Sequence, residues 1–359
     1  MKRIVYNPII LLILMLAIIF MAIGYATISD VKLNISGEAQ APKSSGAYLP
    51  EGFTKVEGTT LESGLTIQDS TGNQYVWVEV PKTEEVYPTA GLEIKDFTDA
   101  EYTLLENDLH TYTSAYRKSG WRDSGYGMGF VLSNKQYTEL KQKMLKSVYE
   151  NEGFYVGKYE TGVEGSPRTS GSESEDPTEI PVIKPNAYPY NFVTFGQAQT
   201  LATNIESGEY TSSLLFGVQW DLMLKYLEIK GATETELNND STNWGNYANS
   251  VWNVTNTNSK YSTDDEGKNW ITKAYGSKAA KTKVLLSTGA SDIFSKQGIY
   301  DIAGNVSEWT LESTTDLTTP VSVRGGYYIY NGNREPANYH EWGYDLATDA
   351  VIGFRITLY

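Results

Sequence analysis

The sequence predicts a domain of mixed helices and strands joined by long irregular stretches, and three observations carry that expectation. The β-rich runs Leu65-Thr66-Ile67 and Gln74–Val80 flank the turn cluster Asp-Ser-Thr-Gly-Asn, which reads as a hairpin. Tyr137, Leu140, Met144 and Val148 recur at helical spacing between Lys and Glu residues, which marks an amphipathic helix over Asn134–Tyr149. Residues 231–296 are mostly Asn, Ser, Thr, Gly, Asp and Lys, a composition that favours turns over regular structure.

Other elements follow in order. Residues 88–125 are polar, Tyr-rich and weakly periodic, a long insertion with no assigned element. Phe154–Glu160 reads as a strand, and residues 164–181, rich in Ser, Gly, Glu and Pro, as a mobile surface loop. Thr194 with Gln197 three residues on makes a capping-box start for a helix lined by Ala198, Leu201, Ala202 and Ile205. A further helix is marked by Phe216, Trp220, Met223, Leu224 and Leu227, and short strands close the chain near Val321–Tyr328 and Ile352–Leu358.

Lys2 and Arg3 precede an uncharged run from Ile4 to Ser29, long enough to span a bilayer at about 20 apolar residues. The basic flank places the N-terminus in the cytoplasm and the rest outside. Small residues at Gly24-Tyr25-Ala26 leave cleavage near Ala26, and hence secretion, as the alternative to a single-pass anchor. The expected organisation is a signal or transmembrane segment at 1–29 and a stalk and linker at 30–50. The N-terminal part of the extracellular domain, with its insertion, follows at 51–149, and the main domain at 150–359.

Composition removes whole function classes. A net charge of -15 over 359 residues works against nucleic-acid binding, which depends on Lys and Arg neutralising phosphates. The absence of Cys removes disulfides, thiolate nucleophiles and cysteine metal sites, so neither copper nor zinc chemistry is expected. The only histidines are His110 and His340, the latter in a stretch that reads as exposed surface, and no triad or carboxylate pair stands out among 44 acidic residues. No catalytic residue is assigned.

Three ordered segments carry a family resemblance. Gly298-Ile299-Tyr300-Asp301-Ile302-Ala303-Gly304-Asn305-Val306-Ser307-Glu308-Trp309-Thr310 is followed by Val323-Arg324-Gly325-Gly326 and then Gly353-Phe354-Arg355. Upstream stand Gly153–Glu160 and Asn191–Ala198. Together they resemble the formylglycine-generating-enzyme, or sulfatase-modifying-factor, family over residues 150–359, with a looser extension to Gly52. The resemblance implies an α+β, C-type-lectin-like fold. It also implies a calcium ion held at Asp301, Gly304, Val306 and Glu308, two carboxylates and two carbonyl positions of a kind that suits that ion. The family's oxidation of a substrate cysteine uses a copper-binding cysteine pair, which this chain lacks, so a non-catalytic member is expected. Arg324 and Arg355 read as planar clamps within the fold, and Trp309 and Phe354 as core.

Between the last two motifs the chain is crowded with Tyr, Asn and Trp, residues that supply rigid contact area and adaptable hydrogen bonds. The expected ligand contacts are Tyr328, Tyr330, Asn333, Asn338, Tyr339, His340, Trp342 and Tyr344. This stretch also resembles the variable C-terminal segment of retroelement-diversified proteins. The reading is a cell-surface protein that binds a glycan or protein ligand, attached to the membrane through its N-terminal helix. A cryptic carboxylate-based hydrolase and a structural envelope component are the alternatives.

Overall fold

Two sheets hold the fold, and the chain crosses between them at one arginine. The computed structural model describes residues 46–124, 131–205, 210–264 and 266–359. The apolar run at 1–29 and residues 30–45 of the stalk and linker at 30–50 lie outside the described residues. Among the described residues no helix is long and apolar enough to cross a membrane.

The strands of the two larger sheets are β1 (Thr54–Lys55), β2 (Thr66–Gln68), β3 (Gln74–Glu79), β4 (Trp121–Arg122), β5 (Gly153–Gly157), β6 (Ser212–Leu214), β7 (Ser307–Thr314), β8 (Val321–Arg324), β9 (His340–Gly343), β10 (Ile352–Phe354) and β11 (Ile356–Leu358). The first sheet runs β1-β2-β3-β5-β11-β6, and the second β9-β8-β7-β10, with β4 pairing onto β7. The hairpin of β2 and β3 pairs Thr66 with Val76, and the Asp69 carboxylate closes its turn by accepting from the Thr71 and Asn73 amides. Because β3 pairs with β5, residues on both sides of position 150 share one sheet.

Five helices pack on this frame among the described residues: α1 (Asp99–Tyr112), α2 (Asn134–Asn151), α3 (Phe195–Thr203), α4 (Gly217–Ile229) and α5 (Glu234–Asn238). The expected capping box at Thr194 and Gln197 opens α3, and Ser133 with Gln136 opens α2 in the same way. The insertion at 88–125 is not featureless. It contains α1, whose Thr98–Glu101 capping box and buried Leu105 and Leu109 supply a start signal and a short apolar stripe.

Two further differences have local causes. Residues 164–181, expected to be a mobile loop, are tied down: buried Arg168 donates to the carbonyls of Asn191 and Phe192 and pairs with Glu179. Gln197 adds bonds to the carbonyls of Ser172 and Glu175. In the polar stretch 231–296, buried Lys278 donates to the carbonyls of Tyr247, Ala248 and Ser250, and six short strands form. Their Trp252, Val254 and Leu286 share a small core of their own.

Helix α4 is buried along most of its length and starts at Phe216, a residue with no side-chain oxygen to cap it. Asp123 supplies the cap from 94 residues away, accepting from the Gly217 amide at 2.7 Å and the Val218 amide at 2.9 Å. We expect Asp123→Ala to leave two buried amides without an acceptor and to cost about 1–3 kcal/mol in chemical denaturation. Asp123→Asn should recover part of the loss, and an unchanged denaturation midpoint for the Ala variant would refute the cap.

Candidate functional site

The three ordered motifs, far apart in sequence, are neighbours in the second sheet. Glu308 on β7 lies opposite Arg324 on β8 and beside Gly353 on β10, and Trp309 lies between Val323 and Phe354. Trp309 and Phe354 are buried, as expected of core residues.

Arg355 follows β10 and is fully buried. Its guanidinium grips the Glu308 carboxylate through Nε at 2.9 Å and Nη2 at 2.6 Å, and donates to the carbonyls of Gly157 and Tyr300, each at 2.8 Å. Glu160 joins from the upstream motif, accepting from the Asn305 side chain at 2.7 Å and the Val306 amide at 3.1 Å. Asp301 accepts from the Gly289 amide at 2.7 Å. The turn needs left-handed backbone at Asp301, Gly304 and Asn305, and a Cβ on Gly304 would stand 2.3 Å from the Asn246 carbonyl oxygen.

Three buried carboxylates thus face one buried guanidinium. Burial, then the charges of Asp301 and Glu308, push Glu160 well above the usual carboxylate range. Burial raises Asp301 to about 7 against the pull of the Gly289 amide and Arg355, and it raises Glu308 against Arg355. The resemblance implied calcium at Asp301, Gly304, Val306 and Glu308. As placed, these residues do not fit the ion: Arg355 occupies the carboxylate edge of Glu308, and a dication there would stand beside a buried guanidinium.

Arg324, on β8 opposite Glu308, is also fully buried and organises a second network. It donates to Asp221 at 2.7 Å, to the Asn338 side-chain oxygen at 3.0 Å and to Glu312 at 3.3 Å. Ser322 adds a bond to Glu312, and His340 Nε2 lies 3.5 Å from the same carboxylate. Burial, then Arg324, pull His340 below its ordinary pKa, so at neutral pH the imidazole is uncharged. Against burial, His340 and then Arg324 pull Glu312 below its usual range; with the imidazole uncharged, Arg324 is the cation that does so at neutral pH.

The segment expected to contact ligand divides in two. Tyr328, Asn338 and His340 are buried, so as placed they are scaffold and not surface. Tyr328 packs with Leu285, Val306 and Val351, Asn338 holds Arg324 and Asn238, and His340 is sealed over Glu312 instead of lying on exposed surface. Asn333, Trp342 and Tyr344 are exposed, and Tyr330 and Tyr339 are half-buried. Arg334 lies over the Tyr330 ring at 4.2 Å, and Lys118 over Tyr339 at 5.9 Å. Trp342 stacks parallel to Trp121, with centroids 5.9 Å apart and planes within 5°. Sequence reasoning missed Trp121 and Lys118, because both come from the unassigned insertion and only the pairing of β4 with β7 brings them here. It also missed Glu335, buried beneath this surface with both carboxylate oxygens lacking a hydrogen-bond partner. Burial, then Glu341, raise its pKa to about 8.

The other histidine belongs elsewhere. His110 Nε2 lies 3.6 Å from Asp123, in a group with Glu106. Lys141 donates to both Glu106 oxygens and to the Asp123 carbonyl, so an ammonium already supplies positive charge there.

The Arg355 cluster makes stability depend on pH. Asp301 titrates higher in the folded state than its usual 3.8, so its stabilising effect is complete below about 4 and is lost as pH rises through about 7. Asp301→Asn keeps an acceptor for the Gly289 amide without the charge. We expect it to raise stability at pH 8 by about 1 kcal/mol or more, one pKa unit being worth about 1.4 kcal/mol. Parallel thermal melts at pH 5 and pH 8 check this; equal slopes in the two proteins would show that Asp301 ionises without penalty.

The family model for the sulfatase-modifying factor enzyme 1-like domain matches residues 78–358. No curated protein matches the chain. Among solved structures, the chain is similar to a variable protein of Treponema denticola, "variable protein 1", at 12% identity and a TM-score of 0.32, covering 57% of this chain and 84% of that one. That likeness is too slight to define the fold. The family match spans most of the chain, including both buried arginines and all three ordered motifs, and the chain belongs to the family of sulfatase-modifying factor enzyme 1-like domains.

Proposed function

We propose that this domain is a binding module displayed outside the membrane, which contacts a glycan or protein ligand through Tyr330, Asn333, Tyr339, Trp342 and Tyr344. One observation carries the reading: Trp342 and Tyr344 leave 59% and 65% of their surface exposed on the edge of a sheet whose interior is fixed by Arg324. Large exposed aromatics cost solubility, and grouped on a rigid support they are the residue types that dominate contact surfaces. The family's oxidase chemistry has no thiol to run on, because the chain contains no Cys. The basic flank and apolar run at residues 2–29 support the placement outside the membrane.

Trp342→Ala and Tyr339→Ala should each reduce saturable binding of the full-length protein to a glycan array or to cell-surface extract by about tenfold or more, as hot-spot aromatics do. Circular dichroism and melting should stay unchanged. Undiminished binding by both variants would place the contact surface elsewhere, and turnover of a bound glycan would favour the hydrolase alternative.

A further inference from the structure

The stretch Arg117-Lys118-Ser119-Gly120-Trp121-Arg122 carries three cations in six residues and no acid, in a chain whose net charge is -15. Arg117 is half-buried, and Lys118 and Arg122 are exposed. Among the described residues none of the three has a carboxylate partner; Lys118 reaches only the face of Tyr339. The nearby loop after β7, joined to this stretch by a bond from the Thr315 amide to the Gly120 carbonyl, holds one acid, Asp316. Its exposed carboxylate accepts from the Thr318 amide and hydroxyl. Burial, then the charge of Arg324 beneath it, lower the Lys118 pKa, while Glu312 and Asp221 oppose that shift. Among the described residues, no carboxylate pairs directly with the positive strip.

The same stretch lines an open cleft of about 410 Å³, walled by Ser114, Arg117, Lys118, Ser119, Gly120 and Trp121. That falls within the ~300–1,000 Å³ range of small-ligand sites. Trp121 forms one wall and continues into the parallel, solvent-exposed Trp342. An indole face accepts the apolar face of a sugar ring, serine hydroxyls match sugar hydroxyls, and a guanidinium fork matches a carboxylate or sulfate.

We propose that Arg117, Lys118 and Trp121 form, with Trp342, a subsite for an acidic oligosaccharide, one that carries carboxylate or sulfate groups on its rings. The proposal rests on the reading of the aromatic surface as a ligand site and gives its ligand a chemical class. A sugar acid suits the strip better than a nucleic acid. Three cations neutralise a few isolated charges, whereas a polyphosphate brings one charge per nucleotide against a strongly acidic protein.

The test is calorimetric titration of the full-length protein at low and at moderate salt. The acidic probes are trigalacturonate, sialyllactose and a heparin tetrasaccharide, the neutral probe is maltotriose, and the polyphosphate probe is a short oligothymidylate. We expect at least one acidic sugar to bind, at least tenfold tighter than maltotriose and the oligothymidylate, and more weakly at higher salt. Arg117→Ala and Lys118→Ala should each weaken it about tenfold without changing the melt, and Trp342→Ala should abolish it. No binding by any acidic sugar, or equal binding by maltotriose, overturns the acidic class. In that case binding of maltotriose that is lost in Trp342→Ala leaves the aromatic surface standing as a ligand site. Equal or tighter binding of the oligothymidylate overturns the assignment to a sugar. Acidic-sugar binding that survives both the Arg117 and the Lys118 variants removes the cationic strip from the site.

Discussion

The fold depends on the buried contact of Arg355 with Glu308. Arg355 is the single residue between β10, in the second sheet, and β11, in the first. From that crossing its guanidinium reaches Glu308 on β7 and the carbonyl of Gly157 at the end of β5, so one side chain ties both sheets at the point where the chain passes between them. A lysine could not repeat this, because the bonds run from separate nitrogens of a planar fork in fixed directions. The contact is also costly to build, since Glu308, Glu160 and Asp301 are all taken out of water around one cation. Asn305, the Val306 amide and the Gly289 amide offset that cost by donating to the carboxylates, which explains why this turn is dense in motif residues.

Arg324 repeats the device on the neighbouring strand with a different outcome. Its partners, Asp221 on α4, Glu312 on β7 and Asn338 just before β9, come from three elements, and together they set the position of the edge strand that carries Trp342. The carboxylate of Asp123 fixes the start of α4 nearby, so the helix that supplies Asp221 is itself held from both sides. The exposed aromatics therefore stand on a support with little freedom to move. That lowers the ordering cost a ligand would have to overcome.

Much of this was legible in sequence, and the part that was not has a physical reason. Helix starts marked by a capping box, such as Thr194 with Gln197, were readable because both halves of the signal lie within four residues. The clamp roles of Arg324 and Arg355 followed from motif context, and the core roles of Trp309 and Phe354 from their chemistry. Two kinds of fact were hidden. Helix α1 carried a capping box at Thr98 but only a thin apolar stripe, Leu105 and Leu109, inside a Tyr-rich polar stretch. The burial of Tyr328, Asn338 and His340 depends on partners such as Val306, Arg324 and Glu312, which lie 14 to 28 positions away or on other elements. Composition identified an aromatic, Asn-rich segment, but only strand register decides which of its residues face outward.

That register separates two tasks within one short stretch. Asn338 maintains the Arg324 network, and replacing it would leave the buried guanidinium short of a partner, a change that destabilises strongly, while His340 packs over Glu312. Trp342 and Tyr344, two and four residues further on, are mostly exposed, and neither contributes a hydrogen bond to that network. Surface substitutions of this kind usually alter stability by less than about 0.5 kcal/mol. The scaffold can therefore keep its buried ion pairs while its outer face changes, which lets one framework present different contact chemistry without refolding. Here the fixed residues are occupied with one another: Glu312 with Arg324, Glu308 with Arg355, and Asp221 with Arg324.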